Sequence, residues 1–131
     1  MKPGILCVDD EAILTLALTR TLKAAFGTSV HVDAACSADE ALEAIEELKA
    51  ADVNTKVVLC DLFMPGTRGD EFLARLKDIY PHIKSILLTG LLEGDESARL
   101  TRDLGLFAAL SKPVRSAELI GIVGKALSEG D

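Results

Sequence analysis

The 131-residue sequence contains no tryptophan, one tyrosine and four phenylalanines, so its core must be built mainly from aliphatic side chains. No apolar run approaches the roughly 20 residues that a bilayer-spanning helix needs, and the N-terminus has no signal-peptide pattern. Acidic residues outnumber basic ones by 21 to 14, giving a net charge of −7. Nucleic acid is therefore not expected as a direct partner, because binding it depends on basic patches.

Cysteine is also scarce. The three cysteines, Cys7, Cys36 and Cys60, are an odd number without metal-ligand spacing, which argues against a disulfide framework or a zinc site. Free thiols are typical of the reducing cytoplasm, and we expect a cytoplasmic protein. Each cysteine is predicted to be a small buried hydrophobic residue.

What the sequence does contain is a regular alternation of short apolar runs and segments of helical period. This pattern predicts an α/β fold, in which helices cover both faces of a doubly wound, five-stranded parallel sheet of order 2-1-3-4-5. The five runs are Ile5–Val8, Val30–Ala35, Lys56–Cys60, Ser85–Leu88 and Phe107–Leu110.

The helical segments carry recognisable apolar faces and ends. Ser37, followed three residues later by Glu40, predicts a capping box at the start of the second helix. Gly121 and Gly124 lie inside the fifth helix and predict a weak one, because glycine costs about 1 kcal/mol relative to alanine there. The face predicted for the first helix consists of Leu14, Ala17, Leu18, Leu22 and Ala25.

Polar side chains follow four of the five predicted strands. Strand 1 runs into Asp9 and Asp10, strand 3 into Asp61, strand 4 into Thr89 and strand 5 into Lys112. In a doubly wound sheet the ligand site lies beyond the carboxyl ends of the strands. The order 2-1-3 places strands 1 and 3 side by side, so we expect the three carboxylates to meet there.

Three carboxylates and one lysine leave excess negative charge, which either raises pKa values or binds a cation. Oxygen ligands that leave room for water favour Mg²⁺ over Zn²⁺. With the cation and Lys112 neutralising phosphoryl oxygens and Thr89 donating a hydrogen bond, Asp61 is suited to attack phosphorus and form an acyl phosphate.

These motifs resemble the receiver domain of two-component response regulators. The segments that carry the resemblance are CVDDE at 7–11, CDLFMPG at 60–66, LTG at 88–90 and LSKP at 110–113. Each alone is weak, but all four occur in order at the spacing of strand–helix crossovers. The resemblance covers residues 4–128, and we expect one receiver domain over residues 1–131 with no output domain in this chain.

The resemblance also implies roles for individual residues. Asp61 would be the phosphoacceptor, Asp10 a direct Mg²⁺ ligand and Asp9 a ligand through water, with the backbone carbonyl of Phe63 as a further ligand. Thr89 and Lys112 would contact the phosphoryl oxygens, and the Lys112–Pro113 peptide bond would be cis. The chain would be a signalling domain rather than an enzyme in its own right, although it would assist its own phosphorylation and dephosphorylation.

The implied partners are a histidine kinase or phosphotransfer protein as phosphodonor. A second copy or an output domain would dock on the face formed by helix 4, strand 5 and helix 5. The sequence departs from the family at Ala109, where receivers usually carry the Tyr or Phe that moves on phosphorylation. We expect Phe107 to share the face of Ala109 as a fixed core residue, so that the loop at 90–94 and helix 4 carry the response.

Three alternatives remain at this point. An aspartyl-nucleophile phosphatase of the haloacid dehalogenase type would use Asp61, Thr89 and Lys112, but it needs a second aspartate where this chain has Phe63. A flavodoxin-like flavin protein needs a hydroxyl- and glycine-rich loop after strand 1, where Asp9 and Asp10 would repel phosphate. A degenerate receiver would act only as an interaction module.

Overall fold

The computed structural model describes residues 1–90 and 94–129, with the side chains of residues 94 and 95 excepted. Strands and helices alternate along the whole chain, as predicted, and a 3₁₀ turn at Gly27–Ser29 follows the first helix. The strands are β1 (Lys2–Val8), β2 (His31–Ala35), β3 (Val53–Asp61), β4 (Lys84–Thr89) and β5 (Ala108–Ser111). The helices are α1 (Ala12–Phe26), α2 (Ala38–Ala50), α3 (Gly69–Ile79), α4 (Gly94–Leu104) and α5 (Ser116–Ser128).

The strands form one parallel sheet of order β2-β1-β3-β4-β5, which confirms the predicted topology. Alternate side chains of each central strand enter two separate apolar clusters. Leu6 and Val58 pack with α2 and α3 on one face, whereas Ile5 and Val57 pack with α1 and α5 on the other. None of the helices in the described part of the chain has the length and apolar character needed to cross a bilayer.

The ends of several helices follow from local chemistry. The Ser37 hydroxyl accepts a hydrogen bond from the Glu40 backbone N–H (3.1 Å), which is the serine half of the predicted capping box. The Glu40 carboxylate accepts instead from the Cys36 thiol. Gly27 and Gly105 end α1 and α4 at φ values of 62°, a backbone conformation that glycine adopts without steric cost.

The predicted buried face of α1 was partly wrong. Ala17 and Ala25 are exposed, while Thr15 and Thr19 are buried beside Leu18 and Leu22. The two hydroxyls donate to the carbonyls three residues earlier, each at 3.0 Å. Because those bonds satisfy the hydroxyls inside the protein, threonine can replace alanine on the inner face. The buried face of α1 is therefore rotated relative to the predicted one, and Ile13 lies on the outer face with 87% exposure.

Strand β3 contains an irregularity that a pattern of alternation does not reveal. Gly4 of β1 pairs with Thr55, but the next residue, Ile5, pairs with Val57, so Lys56 is an extra residue in β3. The side chains that precede the bulge in β3 therefore lie on the opposite face of the sheet from the one that strict alternation would give them. Thr55 consequently lines a small cavity with Ile45 of α2, on the face opposite to Val57.

Candidate functional site

Three carboxylates meet at the carboxyl edge of the sheet, as the sequence predicts. Val8 of β1 pairs with Cys60 of β3, so Asp9 and Asp61 leave neighbouring strands side by side. One carboxylate oxygen from each of Asp9, Asp10 and Asp61 lies within 4.8 Å of the others. Asp9 and Asp61 are buried, with exposures of 1% and 6%, whereas Asp10 is exposed.

Lys112 is the cation that the fold brings to this group. Its Nζ lies 2.8 Å from Asp61 Oδ1 and 3.4 Å from Asp9 Oδ2. Its backbone N–H donates to the Thr89 carbonyl at 2.9 Å, which joins the end of β5 to the end of β4. The Lys112–Pro113 peptide bond is cis, as expected, and Thr89 is buried at the same edge.

The charges at this edge are not balanced. Burial raises the pKa of Asp9, and the nearby Asp61 adds to the rise, while the backbone N–H of Glu11 and the Lys112 ammonium oppose it. Partial burial works against the charge of Lys112, but its contacts with Asp61 and Asp9 hold its pKa above the ordinary value. One ammonium is therefore grouped with three carboxylates, and the excess negative charge attracts a second cation.

The donor atoms suit a hard divalent ion. The three carboxylates come from the ends of two strands, and that of Asp10 is exposed to solvent. Mg²⁺ bound by such a ligand set keeps several of its waters. Phe63 lies two residues after Asp61 and is 47% exposed.

The backbone under Asp61 is held by close packing that sequence reasoning missed. Leu62 N–H donates to the Leu88 carbonyl (3.1 Å), and the Leu62 carbonyl accepts from Gly69 N–H (2.8 Å). A Cβ atom on Gly69 would lie 2.1 Å from the carbonyl oxygen of Asp61. Only glycine lets α3 begin directly against the strand end. A glycine at the start of a helix, where its flexibility is otherwise costly, was the available signal.

A second feature that sequence reasoning missed lies on the β3–α3 loop. The Arg68 guanidinium carbon sits 5.1 Å from the centre of the Phe63 ring, within the range of a cation–π contact. The same guanidinium forms a forked pair with Asp70, with Nε 3.0 Å from Oδ1 and Nη2 3.4 Å from Oδ2. No pattern in the sequence marks a contact between residues five apart in a loop.

An apolar groove of about 590 Å³ opens beside Lys112. The first turns of α1 form one wall with Ile13, Leu14 and Ala17, and the segment after β5 forms the other with Pro113 and Val114. Leu16, also on α1, is 50% exposed. Apolar side chains exposed next to a charged site are typical of a surface for a protein partner.

Two of the three cysteine predictions hold. Cys7 and Cys60 are fully buried, and burial raises the pKa of each thiol, to about 12 for Cys7. The prediction for Cys36 was wrong. Cys36 follows the end of β2 in the turn before α2, so strand alternation does not bury it, and its exposed thiol donates to the Glu40 carboxylate (2.8 Å).

The expectation for Phe107 was also wrong. Ala109 packs against the cluster under α3 and α4, but the half-buried Phe107 packs against the opposite cluster, with α1 and α5. The reason is that β5 begins at Ala108, so strand alternation does not extend to residue 107. Phe107 does not fill the space beneath Ala109. Of the loop predicted to carry the response, residues 91–93 lie outside the described residues.

This chain is similar to known proteins over most of its length. The family model of the response regulator receiver domain matches residues 5–124. The hydrogenase transcriptional regulatory protein HoxA of Cupriavidus necator is 32% identical over 94% of this chain, and the positive alginate biosynthesis regulatory protein of Pseudomonas aeruginosa is 33% identical over 94%. The matched regions make up 24% and 46% of those two proteins, so this chain spans about a quarter of the length of the hydrogenase regulator.

Solved structures show the same likeness. A response regulator receiver domain protein from Clostridium thermocellum superposes with a TM-score of 0.81 at 31% identity, covering 95% of this chain and 94% of that chain. A CheY-like receiver domain protein from Methanospirillum hungatei gives a TM-score of 0.81 at 25% identity, covering 97% and 94% of the two chains.

Proposed function

Because the chain belongs to the response regulator receiver domain family, we propose that Asp61 accepts a phosphoryl group and that the resulting aspartyl phosphate changes the contacts of the domain with its partners. The observation that carries the proposal is the 2.8 Å contact between Asp61 Oδ1 and the Lys112 ammonium, inside a group of three carboxylates. Family membership leaves no basis for the phosphatase and flavin-protein alternatives. The presence of every site residue argues against a degenerate receiver.

In the proposed reaction, a carboxylate oxygen of Asp61 attacks the phosphorus atom of a phosphohistidine. The new O–P bond forms as the P–N bond breaks, and the electron pair of the P–N bond stays on the imidazole nitrogen. Because the other ring nitrogen carries a proton, the imidazole leaves as a neutral ring. Lys112 stays charged because its pKa is raised, so it can hold a transferred phosphoryl oxygen without losing a proton. Thr89, at the end of the neighbouring strand β4, would donate a hydrogen bond to another of these oxygens.

We further propose that Asp9, Asp10, Asp61 and the Phe63 carbonyl hold the divalent cation. When bound, Mg²⁺ supplies positive charge that stabilises the phosphoryl oxygens as negative charge builds on them. Buried Asp9 contributes charge and is fixed by the Glu11 N–H (2.9 Å), whereas exposed Asp10 is accessible to a hydrated ion. The two aspartates are therefore suited to different roles, Asp10 as a direct ligand and Asp9 as a ligand through water.

The proposed phosphodonor is a histidine kinase or a phosphotransfer protein, docking on the apolar groove between α1 and the segment after β5. Exposed Ile13 lies on the α1 side of this groove, next to the lysine that must meet the incoming phosphoryl group. The proposed route to a second copy or an output domain is the face of α4, β5 and α5. The three free cysteines fit the proposed cytoplasmic location.

Intact-mass measurement after incubation with a small acyl phosphate and Mg²⁺ tests the proposal. Wild-type protein should gain the mass of one phosphoryl group, and Asp61→Asn should gain none. Asp78→Asn, an exposed aspartate on α3, is the matched control and should be labelled like wild type. Equal labelling of wild type and Asp61→Asn would remove Asp61 as the acceptor.

A further inference from the structure

Phe63 faces outward between two buried neighbours at the start of the β3–α3 loop. Leu62 is fully buried with both of its backbone polar groups hydrogen-bonded, and Met64 is 7% exposed. The peptide between Phe63 and Met64 carries the carbonyl that the proposed cation would use. With Leu62 and Met64 anchored on either side, the position of Phe63 decides where this carbonyl points.

Arg68 holds the Phe63 ring from the other end of the same loop. Its guanidinium carbon lies over the ring, 5.1 Å from the ring centre, and its Nε and Nη2 contact the carboxylate of Asp70, in the first turn of α3. A planar guanidinium can make both contacts at once, whereas a lysine ammonium can supply neither the fork nor the stacked plane. The contacts join Phe63 to the start of α3.

We propose that Arg68 is a positioning residue for the divalent cation, because it fixes Phe63 and thereby the backbone carbonyl offered to the metal. This inference rests on the proposed function of the site. The competing role for Arg68 is a direct contact with the phosphoryl group, and the two roles predict different effects on Mg²⁺ affinity.

The direction in which Mg²⁺ affinity changes on removal of Arg68 distinguishes a positioning role from a simple effect of its charge. Arg68 is a cation near a cation site, so by charge alone its removal should strengthen Mg²⁺ binding. If Arg68 positions the carbonyl, its removal should weaken binding instead. Arg75 lies seven residues further along the chain, inside α3, and is exposed, so Arg75→Ala measures the effect of losing a positive charge without losing the loop contact.

The experiment is a Mg²⁺ titration by calorimetry of wild type, Arg68→Ala, Arg68→Lys and Arg75→Ala. We expect the dissociation constant of Arg68→Ala to rise twofold to fivefold, in line with the strength of an exposed cation–π contact. Arg68→Lys should also weaken binding although it keeps the charge, and Arg75→Ala should not weaken it. In metal-free protein, Arg68→Ala should speed amide exchange at residues 63–67 without lowering the melting temperature by more than a degree or two.

A double-mutant cycle tests whether Arg68 acts through Phe63. Phe63→Leu should weaken Mg²⁺ binding by a similar factor, and adding Arg68→Ala to it should produce no further loss. Unchanged or tighter Mg²⁺ binding by Arg68→Ala would overturn the inference, as would additive losses in the cycle. Loss of affinity for a beryllofluoride phosphoryl mimic with unchanged Mg²⁺ affinity would also overturn it, in favour of direct contact. If the wild-type protein binds no Mg²⁺, the proposed function of the site is wrong, and the inference about Arg68 is wrong with it.

Discussion

The two edges of the sheet differ in how well the charges of their polar side chains are balanced. At the carboxyl edge, Asp9, Asp61 and Lys112 are packed together with more negative than positive charge, and burial and charge raise the pKa of Asp9. At the amino edge, the Tyr80 hydroxyl donates to the Glu46 carboxylate and joins α3 to α2, so a neutral donor satisfies an exposed charge.

This difference indicates that the carboxyl edge lowers the stability of the metal-free protein, and that the same charges allow it to bind a cation. Charge repulsion at the carboxyl edge is unfavourable until a cation binds, whereas the Tyr80–Glu46 bond at the amino edge favours the folded state without any ligand. Substitutions at the carboxyl edge should therefore change metal binding and phosphorylation, and some should stabilise the metal-free protein. Substitutions at the amino edge should change stability alone.

The largest change in stability is expected from Gly69→Ala at the carboxyl edge. The added Cβ would lie 2.1 Å from the Asp61 carbonyl oxygen, so the strand end or α3 must shift, at a cost of about 3 kcal/mol. Gly121→Ala is the control, because a Cβ there meets no atom within 4 Å, and it should stabilise α5 by about 1 kcal/mol. Urea denaturation measures both. Equal effects of the two substitutions would contradict the close packing described for Gly69.

A second prediction compares α4 with β5. Ala109 provides no ring to move, whereas α4 is anchored by half-buried Leu100 and Leu104 and by Lys77, whose Nζ lies 3.5 Å from the Leu104 carbonyl oxygen. Amide exchange with and without a beryllofluoride mimic should change severalfold in residues 94–104 and little in β5. Changes concentrated in residues 107–111, with 90–104 unaffected, would show that the signal leaves by β5.

The smallest effects should occur at the amino edge. Tyr80→Phe removes the hydrogen bond to Glu46 and should cost about 0.5 kcal/mol of unfolding free energy. Phosphorylation and Mg²⁺ affinity should be unchanged, since the substitution is at the opposite edge. A loss of Mg²⁺ affinity in Tyr80→Phe would mean that the two edges are coupled.

Tyr80 also gives a direct titration, because it is the single tyrosine and the chain has no tryptophan. Burial, followed by the hydrogen bond to Glu46, raises the pKa of Tyr80 to about 12. The folded protein keeps this proton where the unfolded chain loses it, so unfolding free energy should fall as pH rises from about 10 to about 12. An absorbance titration measures the pKa, and Glu46→Gln should lower it. An unchanged pKa in that variant would contradict the contact.

Most of the fold and the main residues of the candidate site could be predicted from the sequence, for physical reasons. The alternation of apolar runs and helical segments leaves few parallel topologies, and the order 2-1-3-4-5 brings Asp9, Asp10 and Asp61 together without knowledge of any side-chain position. The carboxylates and Lys112 all lie at the end of a strand or within two residues after it, which made them recognisable in the sequence.

The parts that were missed depend on local geometry rather than on periodicity. The bulge at Lys56 shifts alternation in β3 by one residue, which moved Thr55 to the other face. Because β5 begins only at Ala108, alternation did not apply to Phe107. Hydrogen bonds to the backbone allowed Thr15 and Thr19 to be buried. The contact between Phe63 and Arg68 depends on the path of a loop, which no apolar pattern encodes.

The central claim is that the carboxyl edge is a cation site whose carboxylates repel one another until a cation binds. Its most direct test is the melting temperature of wild type and Asp10→Ala, each with and without Mg²⁺. Wild type should gain about 2.7 kcal/mol of unfolding free energy when Mg²⁺ is present at about 100 times its dissociation constant. Asp10→Ala should melt slightly above wild type without Mg²⁺ and gain almost nothing when it is added. An equal gain from Mg²⁺ in both proteins would contradict the assignment of Asp10 as a ligand and the account of this edge.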